Sequence, residues 1–440
     1  MEQRLLHPNR RPTNRERLAR LQQRWQKVVL LAAIVGLLTG LLVAGFESIV
    51  ISVLLPRVFE LPLALLCVAP GLGLLVNYLC LHYIPPGHTA SATSDAYIAT
   101  FHDRQRRLQL RRLLPRMLGG VATLGLGGAM GLEGPSLYAG SVVGSTIQTR
   151  FKNLFTPEER NLLLVAGAAA GVAAIFKAPA TGVIFSLEVP FQVDLARRAL
   201  VPALVAAAAS YITFAALVGT QPLFAVNGAP AFDIKDIGGA ILIGLFAGAL
   251  ARGFAWLLRV AKEVPTRVNP LVAVLVGAIV LALLALLTSH LFDSPLSIGP
   301  GYRAVRWALD SRRTAAAIGV LFVVRAFATS ATVAGGGTGG LFIPLVIQGT
   351  LLGKIVGNAL GASTSSLFPM IGLAAFLGAG YRTPLAGIVF VAEASGRASL
   401  GVPALIAAAV AELMMGSASV SPYQRRERTI EQALPSSDEL

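Results

Sequence analysis

Four stretches of this chain, Val28–Val53, Leu61–Leu81, Ile237–Leu258 and Leu271–Leu287, are apolar almost throughout. Each is long enough to cross a hydrocarbon core, which takes about 20 residues of α-helix. In lipid every backbone polar group needs a partner inside the protein, so only helices and closed barrels can span it. Runs this continuous lack the alternation that turns one face of a strand to lipid and the other to a lumen, which argues against a barrel. The expected fold class is an all-α integral membrane protein. Composition agrees, with 55% hydrophobic and 13% charged residues in 440, against about 25% charged in soluble chains.

The formal charge of +15 does not point to nucleic acid, because the basic residues sit in short stretches beside the apolar runs and are not interleaved with aromatics. Topology accounts for them. Residues Met1 to Lys27 hold eight Arg/Lys against Glu2 and Glu16 directly before the first span. This places the N-terminus in the cytoplasm by the positive-inside rule. Arg104–Arg116, with six Arg, and Arg425, Arg426 and Arg428 are expected on the same side. The N-terminal stretch is too long and Arg-rich for a cleaved signal peptide. Cys67 and Cys80 share one apolar segment, where they pack as small hydrophobes. The expected organisation is a basic cytoplasmic segment at 1–27, a membrane domain at 28–425 and a short tail at 426–440.

An internal repeat divides that membrane domain. Ala178-Pro179-Ala180-Thr181-Gly182-Val183-Ile184-Phe185-Ser186-Leu187-Glu188 aligns with Thr383-Pro384-Leu385-Ala386-Gly387-Ile388-Val389-Phe390-Val391-Ala392-Glu393, with Pro, Gly, Phe and Glu in register. Each copy follows a small-residue stretch, Ala166–Ala174 or Gly372–Gly380. Each is preceded by a Gly-rich motif, Gly131-Leu132-Glu133-Gly134-Pro135 or Gly339-Gly340-Leu341-Phe342-Ile343-Pro344. Two halves, about 28–218 and 237–425, with Gly/Pro-interrupted apolar segments at matching places, point to inverted repeats whose broken and re-entrant helices meet at a central site.

Glu133 is the only charged residue between Met117 and Thr149. A carboxylate at membrane depth is costly and by default marks a pathway; the bland reading is a helix cap at a membrane surface. Gly131 and Gly134 let backbone amides at a helix start face a cavity, where they attract an anion without trapping it. Gly340, Leu341, Phe342 and Ile343 offer the same chemistry from the other half. His82, His88 and His102 are too scattered for a metal site, no phosphate-binding loop is present, and no cofactor is expected.

Gly131–Pro135 resembles the G-R/K-E-G-P signature of the CLC chloride channel and antiporter family, and Gly340–Pro344 satisfies its G-x-F-x-P signature. Together with Ala178–Glu188 and the repeat, the resemblance runs over roughly residues 28 to 425. It implies chloride as substrate, a homodimer with one pathway per subunit, and residence in the plasma membrane. It makes Glu133 the gating glutamate. Leu341 and Phe342 become amide donors to the central anion, and Tyr423, in Ser421-Pro422-Tyr423, the tyrosine whose hydroxyl contacts that anion. The family's G-S-G-I-P serine is best matched by Ser91 in Ala90-Ser91-Ala92-Thr93-Ser94, with Thr93 and Ser94 as alternatives. Glu188 and Glu393 are expected to be structural carboxylates. Family exchangers carry a second, proton-passing glutamate where this chain has Val189, as family channels do. The resulting expectation is channel-like or weakly proton-coupled chloride transport, with chloride/proton exchange as the alternative. A fluoride-exporting branch departs from the G-x-E-G-P and serine motifs and ranks below chloride. An intramembrane enzyme or scaffold is a remote alternative, since no nucleophile–base set or metal cluster is visible.

Overall fold

The computed structural model describes residues 14–87, 90, 91, 93–103, 105–221, 233, 234, 236–362 and 364–427, the side chains within 14–21 excepted. His88, Arg104 and Arg428 lie outside the described residues. So do residues 1–13 and 428–440.

The first half runs α1 (Asn14–Glu47), a π-helical stretch Ser48–Leu54, α2 (Leu55–Phe59), α3 (Leu63–Tyr83), α4 (Ser94–His102), α5 (Leu113–Gly125), α6 (Glu133–Arg150), α7 (Leu162–Phe176), α8 (Pro179–Glu188) and α9 (Leu200–Val218). The second half runs α10 (Asp236–Arg267), α11 (Pro270–Phe292), α12 (Tyr302–Ala308), α13 (Ala315–Ala334), α14 (Phe342–Ala359), α15 (Leu367–Tyr381), α16 (Pro384–Ser395) and α17 (Gly401–Met415). Nine helical stretches among the described residues are long and apolar enough to cross a membrane. The helices α8 and α16, of 10 and 12 residues, rise only about 15–18 Å and reach part of the way across.

The packing repeats with the sequence. In one half α6 packs on α7, α1 on α9, α3 on α5 and α7 on α8; in the other, α14 packs on α15, α10 on α17, α11 on α13 and α15 on α16. Helices apolar on every side belong in the interior, and every residue of α7 and of α15 is buried. Outer helices turn large aliphatics outward, among them Leu30, Leu37 and Leu41 on α1 and Leu271, Leu275 and Leu283 on α11.

Backbone-to-backbone contact sets the inner helix pairs. A Cβ on Gly140 would strike the Gly167 carbonyl, and one on Gly167 would strike that of Gly140. Gly349 and Gly372 repeat the same reciprocal contact between α14 and α15. Small residues spaced by four let helices in lipid approach this closely, as Gly140/Gly144 and Gly349/Gly353 do here.

The two halves are also stitched by exchanged carboxylates. Glu188 ends α8 and accepts the Leu385 and Ala386 amides at 3.1 and 2.9 Å, at the start of α16. Glu393, near the end of α16, accepts the Ala180 and Thr181 amides at 2.9 and 2.7 Å and the Thr181 hydroxyl at 2.6 Å, at the start of α8. Each helix therefore donates its first-turn orphan N–H groups to the carboxylate of its repeat partner, with α8 and α16 antiparallel.

Gly167→Val is expected to abolish the α6–α7 contact and yield aggregated protein on gel filtration where the native chain is monodisperse. Glu393→Ala strands three donors, and charge-assisted bonds of this kind are worth about 1.5–3 kcal/mol each. Its melting midpoint in detergent should fall by several degrees, with Glu393→Gln falling less.

Candidate functional site

The loops before α6 and α14 meet in the interior through two backbone hydrogen bonds. The Gly131 N–H donates to the Gly340 carbonyl at 2.9 Å, and the Gly340 N–H returns a bond to the Gly131 carbonyl at 2.7 Å. This antiparallel bridge sets the first residues of the two helices, Glu133 and Phe342, side by side. Pro135 and Pro344 each stand third in their helix, where a proline is tolerated because its missing N–H has no intrahelical acceptor.

Glu133 is 1% exposed. Its Oε1 accepts the Phe342 N–H at 2.7 Å, and the amides of Glu133 itself and of Ile343 face the same carboxylate. Oε2 is buried with no hydrogen-bond partner among the described residues. A negative group thus lies where the positive ends of two helix dipoles converge, a geometry suited to a bound anion. The glycines are required by close approach: a Cβ on Gly131 or Gly340 would overlap the Glu133 carboxylate, and one on Gly134 would overlap Thr93 Oγ1.

Phe342 is fully buried and anchors the start of α14. Its ring centre lies 4.4 Å from that of Phe176, 5.1 Å from Phe185 and 5.0 Å from Phe390. Phe185 and Phe390 are the repeat-equivalent aromatics, so both halves grip the same ring.

On the other side of the bridge lies a cavity of about 470 Å³, lined by Leu341, Gly339, Ser91, Thr93, Ser94, Tyr381 and Tyr423 among others. The hydroxyls expected here separate in space. Thr93 Oγ1 donates to the Gly339 carbonyl at 3.1 Å and is occupied. Ser91 is half-buried on the cavity wall. Ser94 opens α4 and reaches the hydroxyl of Tyr381, which also meets the Leu341 amide. Tyr381 is 2% exposed, and Gln424 Nε2 donates to its carbonyl at 2.7 Å.

Tyr423 is 46% exposed at the mouth of the cavity, its ring 5.9 Å beneath the Arg106 guanidinium. The structure brings Tyr381, and not Tyr423, to the Leu341 amide. Sequence reading missed Tyr381, although it is the only hydroxyl in Gly372–Tyr381, the small-residue stretch that leads into the second repeat motif.

The mouth is held by an ion-paired network. Lys262 Nζ donates to Asp95 Oδ2 at 2.6 Å and to the Val420 carbonyl at 2.8 Å, and Ser421 Oγ donates to Asp95 Oδ1 at 2.8 Å. Val189 is buried at the end of α8, and its carbonyl accepts Gln424 Nε2 at 2.9 Å. The next carbonyl, of Pro190, lies 2.6 Å from His102 Nε2. No His/Cys/Asp/Glu group suited to a metal occurs among the described residues.

A family model described as voltage gated chloride channel matches residues 72–416. The chain is 28% identical over 416 residues to the H(+)/Cl(-) exchange transporter ClcA of Klebsiella pneumoniae (strain 342), covering 88% of this chain and 85% of that protein. It is 28% identical over 432 residues to ClcA of Salmonella newport (strain SL254), covering 91% and 88%. Among solved structures, a slow cyanobacterial Cl-/H+ antiporter superposes with a TM-score of 0.77 at 23% identity, over 88% of this chain and 94% of that one. A CLC-type fluoride/proton antiporter superposes with a TM-score of 0.77 at 24% identity, over 95% of this chain and 100% of that one. Since the family model spans well over half of the residues, and the two Gly-rich signatures it shares are the ones bridged at Glu133, the chain belongs to the CLC family of voltage-gated chloride channels.

Proposed function

We propose that this protein exchanges chloride for protons across the plasma membrane, with Glu133 serving both as the gate and as the proton carrier. The observation that carries the reading is the Glu133 carboxylate seated on the Phe342 amide with its second oxygen unpartnered. An anion held by these donors and the carboxylate would compete for one place. Protonation removes the charge that the amides attract, so the side chain leaves and chloride can enter. Movement of chloride then obliges Glu133 to take up and release a proton, which is coupling. The curated relatives at 28% identity are named as H(+)/Cl(-) exchange transporters, and this supports exchange over the channel-like reading that Val189 suggests.

Below Glu133, the central anion is proposed to rest on the Leu341 and Phe342 amides with the hydroxyls of Ser94 and Tyr381. Ser94, Leu341 and Tyr381 line the cavity, and the Tyr381 hydroxyl meets Ser94 and the Leu341 amide, which supports this reading. The cavity opens to the side of Arg106, Arg425 and Arg426. The start of the first span is tied to that same side, since Arg24 pairs with Glu159 at 2.6 Å and the neighbouring Asn161 bonds to the Phe101 carbonyl at 2.7 Å. The concentration of arginine supports a cytoplasmic assignment for this side and for the N-terminus.

Val189 carries no proton, but His102 touches the same turn. A carbonyl only accepts, so Nε2 holds the hydrogen toward Pro190 and Nδ1 keeps the basic lone pair. That Nδ1 is buried and without a partner among the described residues. His102 is proposed as the inner proton acceptor in place of a carboxylate. The assembly is proposed to be a homodimer with one pathway per subunit. Leu204, Ile212 and Leu217 of α9, which packs on α8, and Val402, Leu405 and Leu413 of α17, which packs on α16, are exposed and supply apolar surface that such a dimer would cover.

Liposomes loaded with potassium chloride, with efflux started by valinomycin, test the exchange reading when chloride and external pH are recorded together. Proton uptake in fixed ratio to chloride release is expected for the native protein. Glu133→Ala should keep releasing chloride with no proton movement; chloride release without protons in the native protein establishes the channel instead. His102→Gln retains an N–H for the Pro190 carbonyl but lacks a basic nitrogen. Its proton uptake should fall at least tenfold with chloride release maintained, and unchanged proton uptake removes His102 from the route.

A further inference from the structure

A second cavity, of about 240 Å³, lies beside the mouth of the first, between α4, the 103–112 loop, α5 and α6. Among the described residues four arginines line it, Arg106, Arg107, Arg112 and Arg116, together with Gln109. Their charge is left largely uncompensated. Among the described residues, no carboxylate lies within ion-pair distance of Arg107, Arg112 or Arg116. Arg106 meets Asp103 at 3.8 Å with both side chains about half exposed, a pair worth little in water. The one acid among the described residues of the wall, Asp95, is already paired with Lys262 at 2.6 Å.

Arg116 sits at the back of this cavity and is pre-positioned. It is 5% exposed, its Nε donates to the Ala90 carbonyl at 2.8 Å, and its guanidinium lies 4.2 Å from the centre of the Tyr138 ring. Burying a guanidinium without a carboxylate is costly unless another anion compensates it. The space is large for a halide, since a water-sized particle takes about 30 Å³. Several guanidinium forks converging on one space match an anion with several oxygens, to which each arginine offers parallel N–H donors.

We propose that this cavity binds a phosphate-bearing anion, held by Arg107, Arg112 and Arg116, at the mouth of the transport pathway. The group is either the headgroup of an anionic lipid or a free phosphate, and both present the same chemistry to the arginines. Ala90, Asp95 and Tyr423 line both cavities, so the occupant brings negative charge next to the first cavity. Resting on the chloride reading given above, this charge slows chloride entry from that side.

The test measures the melting midpoint of the purified full-length protein in neutral detergent. Inorganic phosphate is titrated in one arm and short-chain phosphatidic acid, with phosphatidylcholine as control, in the other. The native protein is expected to be stabilised. Arg107→Gln/Arg112→Gln should weaken binding by about tenfold for each arginine removed, and Arg112→Lys, which keeps charge but loses the fork, should fall between. A response to both probes supports the site with either source, a response to inorganic phosphate alone assigns a soluble occupant, and a response to phosphatidic acid alone assigns a lipid. Equal responses in native and double variant, or none in either arm, overturn the site. These readouts need no transport, so they stand apart from the exchange reading. In vesicles, phosphatidic acid should slow chloride efflux severalfold in the native protein and not in the double variant. Unchanged efflux with intact binding overturns the regulatory consequence alone.

Discussion

The pair of backbone hydrogen bonds between Gly131 and Gly340 is the constraint on which the site depends. Each bond contributes only about 1 kcal/mol net, so its importance is geometric. Residues more than two hundred positions apart are locked in register, and two helix N-termini are aimed at one place. Neither half can make the site alone, because the Glu133 carboxylate belongs to one repeat and the amide it meets, that of Phe342, to the other. A side chain at either bridge glycine would occupy the space the carboxylate uses. The glycines are therefore spatial requirements of the site as well as turn formers.

Three glutamates share one chemistry, a carboxylate on the free amides of a helix start, yet they differ in saturation. Both oxygens of Glu188 and both of Glu393 are bonded. Glu133 uses one oxygen and leaves the other bare. Releasing either of the first two would strand several donors and pull apart the α8–α16 pair, whereas the Glu133 side chain holds the Phe342 amide through one oxygen. The same motif of physics thus serves two carboxylates with both oxygens bonded and one with an oxygen left bare, and that bare oxygen is what distinguishes Glu133.

Much of this was legible in the sequence because glycine, proline and lone charges act locally. The apolar runs, the repeated Pro–Gly–Phe–Glu register and the isolation of Glu133 each follow from what a lipid-embedded backbone tolerates. Contacts between distant elements were not legible. Ser91 matches the family motif by spacing, but the turn into α4 carries Ser94 to Tyr381, and Thr93 is spent on the Gly339 carbonyl. Tyr423 follows a family pattern by position, but it turns outward while the next residue, Gln424, stays buried, and the Gln424 amide is the group that reaches Val189 and Tyr381. His102 gains its place beside Val189 only because α4 packs its end against the turn after α8. Local pattern does not encode such meetings.

A site built from two repeats related by approximate two-fold symmetry has no inherent preference between the two sides of the membrane. Direction has to come from parts that lie outside the repeat. The segment after α17 is one of them. Ser421 bonds to Asp95, Gln424 bonds to the carbonyls of Val189 and Tyr381, and the amides of Gln192 and Val193 pair with the carbonyls of Arg425 and Arg426 at 2.9 and 3.1 Å. The 103–112 loop, with its arginines, is another. Both gather at the mouth of the larger cavity, while Glu133 stands beyond the bridge at its far end. One end of the cavity thus presents a single titratable side chain, and the other a tied backbone segment and a cluster of fixed positive charge. Under the exchange reading proposed above, protonation would open the first without disturbing the second. On that reading a symmetric core would respond differently to acid on its two faces, because the elements that close it there are chemically unlike.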